Sequence, residues 1–99
     1  MNRTELNASV IERNVLRYTP AGIPVSECVL RHLSSQIEAD LPRQVELEIT
    51  AVAMGELAND LNRLLLGKPH RFTGFLAKKS RNSRNIVYHI TEFELEKED

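Results

Sequence analysis

A cluster of four basic residues near the carboxyl terminus is the part of the sequence best suited to bind an anion. The stretch KKSRNSRN, residues 78–85, holds Lys78, Lys79, Arg81 and Arg84 together with neutral serine and asparagine donors. Lysine and arginine neutralise phosphates, and serine and asparagine donate to phosphate or sugar oxygens. The same composition also occurs in solvated surface turns. Residue types alone therefore leave a phosphate-binding loop and a solvated turn both open.

The charge of the chain is segregated although its formal net value is only −1 over 99 residues. Residues 61–91 hold seven Lys and Arg and no acid, a balance of +7. Residues 1–60 hold five basic and nine acidic residues, and residues 92–99 hold one and five, so each segment has a balance of −4. The acid-free segment creates a local positive field whatever the overall balance.

Other residue types that do chemistry lack the spacing that the chemistry needs. Cys28 and His32 lie four residues apart, but the other two histidines are distant in sequence, so no ligand set has metal-site spacing. Glu46 and Glu48 alternate with apolar residues, which is typical of a solvent-facing strand surface rather than an acid/base pair. The residue spacing predicts no catalytic residue and no metal site.

Length and composition favour one cytoplasmic domain over residues 1–99. The chain has no apolar run near the roughly 18–20 residues that a membrane span needs, and MNRTELNASV lacks the apolar core of a signal peptide. A single cysteine excludes an internal disulfide. The last residues, 94–99, are expected to fray.

Alternating apolar and polar residues predict five strands, and these strands would position the basic cluster. The strands are expected within LNASVIERNVLRY (6–18), SECVLRHL (26–33), VELEITAVAM (45–54), RFTGFLA (71–77) and IVYHITEFEL (86–95). TPAG (19–22) predicts a type I turn, and SSQIEADLPR (34–43) predicts a flexible loop.

One helix is predicted in GELANDLNRLLLG, residues 55–67. Its apolar stripe repeats with helical spacing, and Gly67 and Pro69 are expected to end it. Leu66 is predicted to be exposed or covered by a partner. The stripe consists of Leu57, Ala58, Leu61, Leu64 and Leu65.

Three strands, a helix and two further strands form the order of an OB-fold. The predicted fold is therefore all-β with one short helix, arranged as a five-stranded OB-fold barrel. This fold binds oligonucleotides or oligosaccharides on the face of its second and third strands and with the loops that follow its first and fourth strands. KKSRNSRN then lies between the fourth and fifth strands, in a usual ligand loop, and this placement favours phosphate binding over a solvated turn.

Aromatic residues are few, which matters because single-stranded nucleic acid stacks its bases on them. Phe72 shares a strand face with Leu76 and is predicted to be in the core, as are Tyr88 and Phe93. Phe75 lies on the opposite face. It is a candidate for base stacking, with packing under a loop or in a subunit interface as the alternatives.

Four segments carry a resemblance to a known family. They are TPAGIPV (19–25), CVLRHLSSQIEADLPRQ (28–44), the GF of TGFLAKKSRNS (73–83) and HITEFEL (89–95). The chain resembles the primosomal replication protein N (PriB) family. That resemblance implies a homodimer of OB-folds that binds single-stranded DNA and works in replication restart with the PriA helicase and, in some bacteria, with DnaT. It implies no catalytic activity and no cofactor.

The resemblance also implies which residues contact DNA. They would be Arg17 before the first turn, Arg43 near the loop between the second and third strands, Phe75, and the basic loop residues Lys78, Lys79, Arg81 and Arg84. Two departures stand out. Leu41 and Glu46 occupy positions where some members have aromatic residues, and the basic loop is about two residues shorter than in some relatives. We therefore expect DNA binding that is weaker, or more dependent on charge, than in a relative with more aromatic residues.

Two functions remain open at this point. The first is a single-stranded DNA-binding primosome accessory protein. The alternative is a protein-interaction adaptor whose basic loop docks helicase partners, with weak or incidental DNA binding.

Overall fold

Six β-strands and one short helix make up the computed structural model, which describes residues 1–95. The elements are β1 (Thr4–Arg13), β2 (Arg17–Tyr18), β3 (Pro24–Glu38), β4 (Leu41–Met54), α1 (Glu56–Leu61), β5 (Pro69–Lys78) and β6 (Ile86–Leu95). Of the predicted frayed end, residues 94 and 95 belong to β6 and residues 96–99 lie outside the described part of the chain. No helix within residues 1–95 is long and apolar enough to cross a membrane.

The strands form one sheet that closes on itself. Its order is β1-β5-β6-β4-β3-β2, and β1 also pairs with β3. The first half of β1 lies against β5 and the second half against β3, with a register shift between Val10 and Glu12. A bulge bends a strand and increases its twist, which allows β1 to join both edges. Five long strands and one helix confirm the predicted OB-fold barrel.

The core lies inside this barrel and is built from the inward rows of its strands. Phe72 and Tyr88 are fully buried, as predicted, and Phe93 packs against the core with its ring centroid 5.8 Å from that of Phe72. Each such side chain contributes on the order of 1.5–3 kcal/mol by leaving water. The Tyr88 hydroxyl donates to the Thr4 carbonyl at 2.7 Å, which ties β6 to the start of β1. Burial raises the pKa of Tyr88 to about 12.

Cys28 belongs to the same core. Burial is the main reason that the pKa of its thiol rises to about 12, with Arg13 opposing the rise. A thiol with this pKa stays protonated near neutral pH, and the thiolate is the nucleophilic form. Cys28 is therefore a small apolar core residue, in keeping with the lack of metal-site spacing in the sequence.

The helix is shorter than predicted. It spans six residues, Glu56–Leu61, instead of residues 55–67. Beyond it, Arg63 N–H donates to Asp60 and Leu64 N–H to Leu61, so the chain tightens into three-residue turns. Leu64 stays buried, but Leu65 is 70% exposed and Leu66 is 56% exposed. The prediction that Leu65 belongs to the buried stripe is therefore wrong.

Arg13 contacts the chain where the helix ends. Its Nη1 donates to the carbonyls of Leu61 at 3.0 Å and Leu64 at 2.6 Å. The last carbonyls of a helix have no N–H partner in the following turn, and these contacts satisfy two of the carbonyls at this end. The predicted cap, Gly67, instead has φ +83° and donates its N–H to the Val10 carbonyl at 2.8 Å, so it joins the turn to β1. The apolar stripe did not reveal these long-range contacts.

The predicted flexible loop at residues 34–43 is wrong, because these residues continue β3 and β4 into a long hairpin. Pairing runs without interruption from Val25↔Met54 to Glu38↔Leu41. Ala39 and Asp40 turn the chain with φ of 50° and 63°. Positive φ at both central residues matches the twist of a two-residue hairpin, but the sequence lacks the usual Asn-Gly signal. Gln44 also donates across the hairpin to the Ser35 hydroxyl at 3.0 Å.

The first predicted strand, residues 6–18, is divided in the structure. β1 ends at Arg13, and after a break only Arg17 and Tyr18 pair with β3, against Val25 and Pro24. The predicted turn at 19–22 is present, since Gly22 N–H donates to the Thr19 carbonyl at 2.8 Å. The divided strand places Arg17 and Thr19 beside the start of β3.

Candidate nucleic-acid interface

An outward-facing groove runs across three neighbouring strands of the barrel. β3 contributes Val25 and Glu27, and β4 contributes their cross-strand partners Met54 and Val52. Side chains alternate between faces, so residues two apart on one strand line the same surface. Val52 also pairs with His89 of β6 in the parallel contact between the two strands. The floor of the groove is therefore mostly apolar.

Two loops form the walls of this groove. Arg17 and Thr19 come from β2 and the turn after it, and Lys79 comes from the loop between β5 and β6. The cavity has a volume of about 290 Å³. The residues that line it are Arg17, Thr19, Val25, Glu27, Val52, Met54, Lys79, Val87 and His89. The strand face and the two loops are the parts of an OB-fold that bind oligonucleotides or oligosaccharides.

Arg17 faces the only carboxylate among the groove residues. Its Nη2 lies 3.6 Å from Oε2 of Glu27, whose side chain is 32% exposed. This distance exceeds that of a normal hydrogen bond, so the contact is an ion pair that leaves the carboxylate oxygens able to accept donors. Arg17, which the family resemblance predicts to contact DNA, therefore lines the groove, and part of its charge is balanced by Glu27.

Phe75 stacks on His89 at one end of the groove. Their ring centroids are 4.8 Å apart and the planes differ by 4°. The two residues are cross-strand partners in β5 and β6, and Phe75 is 38% exposed. His89 lines the groove, so the pair adds a flat aromatic surface next to the apolar floor. Phe75 thus has the outward orientation predicted from its strand parity.

Gly74 sets the geometry of this aromatic pair. It lies at a register shift between β5 and β6, where Thr73 pairs with Glu92 but Gly74 pairs with Ile90. A Cβ on Gly74 would lie 2.0 Å from the carbonyl oxygen of His89. Only a residue without a side chain permits this approach of the two backbones. The glycine before Phe75 therefore allows the phenyl ring to reach His89.

The basic loop connects β5 to β6 at the edge of the groove. Lys78 ends β5, residues 79–85 form the loop, and Ile86 begins β6. The loop is held by bonds from Lys79 N–H to the Asn85 carbonyl at 2.8 Å and from Ser83 N–H to the Ser80 carbonyl at 3.1 Å. It is therefore a defined turn whose basic side chains project into solvent.

The four cations of the loop have no acidic partner within residues 1–95. Lys78 Nζ donates to the Arg81 carbonyl at 3.3 Å, and Lys79, Arg81 and Arg84 form no ion pair with the described residues. By contrast, Arg3, Arg31, Arg63 and Arg71 each lie within ion-pair distance of an acid. Unpaired exposed cations give up no salt bridge when they contact a phosphate.

Arg43 is separated from the other predicted site residues. It lies near the tip of the β3–β4 hairpin, opposite Gln36, nine positions before Val52 on β4. At about 3.3 Å per residue this is roughly 30 Å along the strand. Arg43 also contacts the carboxylate of Glu38 through its Nη1. Arg17 and Lys79 line one groove and Phe75 stacks on its residue His89, whereas Arg43 lies at the far end of the hairpin.

Sequence reasoning missed most of the groove floor and its two polar members, Glu27 and His89. Strand alternation places His89 outward between buried Tyr88 and Ile90, so its orientation was readable from the sequence. Its contact with Phe75 depends on the register of β5 and β6, which periodicity does not report. Within residues 1–95 no group of three or more His, Cys, Asp or Glu side chains is arranged to hold a metal ion.

A closed OB-fold barrel with a groove between an aromatic pair and a basic loop defines the class of small oligonucleotide-binding barrels. Residues 2–92 match a family model described as another single-strand binding protein family. The replication restart protein PriB of Bordetella pertussis is 44% identical over 92 residues, which cover 93% of this chain and 86% of the relative. The PriB protein of Nitrosomonas europaea is 36% identical over 91 residues, or 92% and 84% of the two chains.

A solved structure gives the same result. The PriB protein of Ralstonia solanacearum superimposes with a TM-score of 0.86 at 40% identity and covers 96% of this chain and 97% of its own. The chain belongs to the family of PriB and related single-strand binding proteins.

Proposed function

We propose that this protein is a primosome accessory protein that binds single-stranded DNA in replication restart. The observation that carries the proposal is the location of the basic loop. Its Lys79 lines a groove that has an apolar floor and a stacked aromatic pair at one end, and its four cations have no acidic partner within residues 1–95. Single-strand binding proteins combine a positively charged surface for the backbone with aromatic rings for the bases. The names of the PriB relatives support the process in which this binding is used.

The loop and the groove contact different parts of the DNA. Lys78, Lys79, Arg81 and Arg84 contact phosphates and release counterions, whereas Phe75 and His89 offer a surface for stacking. Arg17 contributes at the opposite wall, where Glu27 reduces its net effect. We assign Arg43 to the outer end of the site. It contacts a DNA strand that is long enough to extend along the β3–β4 hairpin. The role is binding, without catalysis or a cofactor, and it is exercised in the cytoplasm, where bacterial DNA is replicated.

Salt dependence tests this function directly. We expect the affinity for labelled oligo-dT, measured by fluorescence anisotropy, to fall with salt with a slope of about −0.7 per phosphate contacted on a double logarithmic plot. Four loop contacts then predict a slope near −3. A slope near zero would show that charge does not hold the DNA and would contradict the proposal.

The second candidate function is a protein-interaction adaptor. The same unpaired basic loop has the charge to dock an acidic surface of the PriA helicase, or of DnaT in bacteria that use it. A pull-down of PriA with a variant in which the four loop cations are alanine separates the candidates when it is run beside the DNA titration. Loss of PriA capture with unchanged DNA affinity favours the adaptor, and the opposite pattern favours DNA binding.

We also propose that two chains associate as a homodimer. A second cavity of about 320 Å³ is lined by Ile11, Leu33 and Pro69, away from the groove. Leu33 is 61% exposed, and Leu65 and Leu66, which precede Gly67 of this cavity in the chain, are also exposed. Exposed apolar patches of this kind mark protein interaction surfaces.

Light scattering tests the dimer. We expect a mass about twice 11.3 kDa for the unmodified protein and a lower mass for Leu33→Glu, because a carboxylate in an apolar interface loses its hydration. Leu41→Glu is the matched control, since Leu41 is similarly exposed but lies at the hairpin tip. A mass of one chain before any substitution would refute the dimer.

A further inference from the structure

The groove contains a carboxylate that phosphate binding does not require. Glu27 is half-buried near Val25 and opposite Val52, and it is the only acidic residue that lines the groove. A negative charge at this place repels phosphate, so it weakens backbone binding. The partner of Glu27 in the groove is Arg17, at ion-pair distance, and the Glu27 side chain remains 32% exposed.

The side chain of Glu27 accepts no hydrogen bond from residues 1–95. Its nearest cation, Arg17, stops at 3.6 Å. Thr19 lines the same cavity, but its hydroxyl accepts the N–H of Ile23 at 3.1 Å within the turn. The Glu27 oxygens are therefore available to a ligand that brings its own donors into the groove.

The walls of the groove limit what this ligand can be. Val52, Val87 and Met54 provide apolar contact for a flat ring. The imidazole ring of His89, which stacks on Phe75, borders the same space. Lys79 belongs both to the groove and to the basic loop. A nucleotide whose phosphate contacts that loop thus carries its base over the groove. A base with donors on its pairing edge fits both the apolar floor and the carboxylate.

We propose that this groove is a base-reading subsite in which Glu27 selects guanine. This inference rests on the proposed single-stranded DNA binding. An ionised carboxylate only accepts hydrogen bonds and has two oxygens for the purpose. Guanine presents two adjacent donors, N1–H and the N2 amino group, which match both oxygens. Thymine places carbonyls on either side of its single N3–H, and cytosine and adenine each place a ring-nitrogen acceptor beside their amino group.

Three oligonucleotides test the subsite. The first is oligo-dT of roughly 16 nucleotides, at the upper end of the site size of one OB-fold. The second carries one central dG, and the third carries one central deoxyinosine, which keeps N1–H and lacks the N2 amino group. A good bidentate contact to a base discriminates by about tenfold, so we expect the dG oligonucleotide to bind about tenfold more tightly than oligo-dT, with inosine between them.

Substitution of Glu27 completes the test. We expect Glu27→Ala to bind all three oligonucleotides equally, with oligo-dT bound no more weakly than before because a repulsive charge is gone. Glu48→Ala is the matched control. It removes one exposed acid from β4 outside this groove, and the dG preference should survive. Thermal melts of both variants verify folding.

The outcomes separate this inference from the function on which it rests. Equal affinity of the unmodified protein for the three oligonucleotides, with oligo-dT still bound in a salt-dependent manner, overturns the guanine subsite alone. A dG preference that persists in Glu27→Ala also overturns it, because another group then reads the base. If none of the oligonucleotides binds, the proposed DNA-binding function itself is refuted.

Discussion

Replacing Lys78, Lys79, Arg81 and Arg84 by alanine is expected to lower the affinity for oligo-dT by roughly 600-fold at 0.1 M salt if all four contact phosphate. Each contact on single strands contributes about 0.7 powers of ten between 1 M and 0.1 M salt, and four contribute about 2.8. The slope of log affinity against log salt concentration should become shallower by about 2.8 as well. All four side chains are exposed or half-exposed on the loop, so the change is expected to leave the fold intact.

A variant with the same charge change serves as the control for this prediction. Changing Arg3, Arg63, Lys68 and Arg71 to alanine also lowers the formal net charge from −1 to −5, yet none of these residues lines the groove. We expect it to change the affinity only slightly. Equal losses in the two variants would show that total charge, rather than the position of the loop, determines binding. An unchanged affinity of the loop variant would favour the adaptor function.

Gly74→Ala is expected to destabilise the protein more than any exposed substitution, by about 3 kcal/mol. The new Cβ would lie 2.0 Å from the carbonyl oxygen of His89, 2.9 Å from its carbonyl carbon and 3.1 Å from the Ile90 Cα. All three are backbone atoms, so relief requires β5 and β6 to move apart. For a domain of this size the melting temperature should fall by roughly 12–24 °C. Differential scanning calorimetry measures the change.

Gly22→Ala distinguishes this steric effect from the general cost of replacing glycine. Gly22 has φ +84°, and apart from its own residue and its two chain neighbours no atom lies within 4 Å of the place that an alanine methyl group would occupy. Alanine at this position lowers the stability only because a residue with a Cβ disfavours the left-handed backbone conformation, which costs about 1–2 kcal/mol. If the two variants melt at the same temperature, the close approach of β5 and β6 does not control stability. Because Gly74 also brings Phe75 onto His89, a folded Gly74→Ala protein should bind oligo-dT more weakly.

The strands, the core and the position of the basic loop were predictable from local patterns. Alternation in β5 correctly placed Phe72 in the core and Phe75 outside it, and composition correctly placed Tyr88 in the core. Leu76 is 38% exposed although alternation put it on the face of Phe72, because the register shifts between Thr73 and Gly74. The order of strands and helix then identified the barrel. Where local signals were absent or misleading, prediction failed. Ala39 and Asp40 do not resemble a two-residue hairpin turn, and the leucine stripe after α1 continued past the point where Arg13 contacts the carbonyls of Leu61 and Leu64.

Residue order alone was enough to establish the fold class, the family and the segment that carries unbalanced positive charge. Periodicity reports which face of a strand is buried, and charge adds along the chain, so both can be read without coordinates. The set of side chains that share the groove became known only from the folded chain. The register of β4, β5 and β6 brings Val52, Phe75 and His89 together, and the pairing of β2 with β3 places Arg17 beside Glu27. Such contacts join residues far apart in the chain, so no local pattern encodes them.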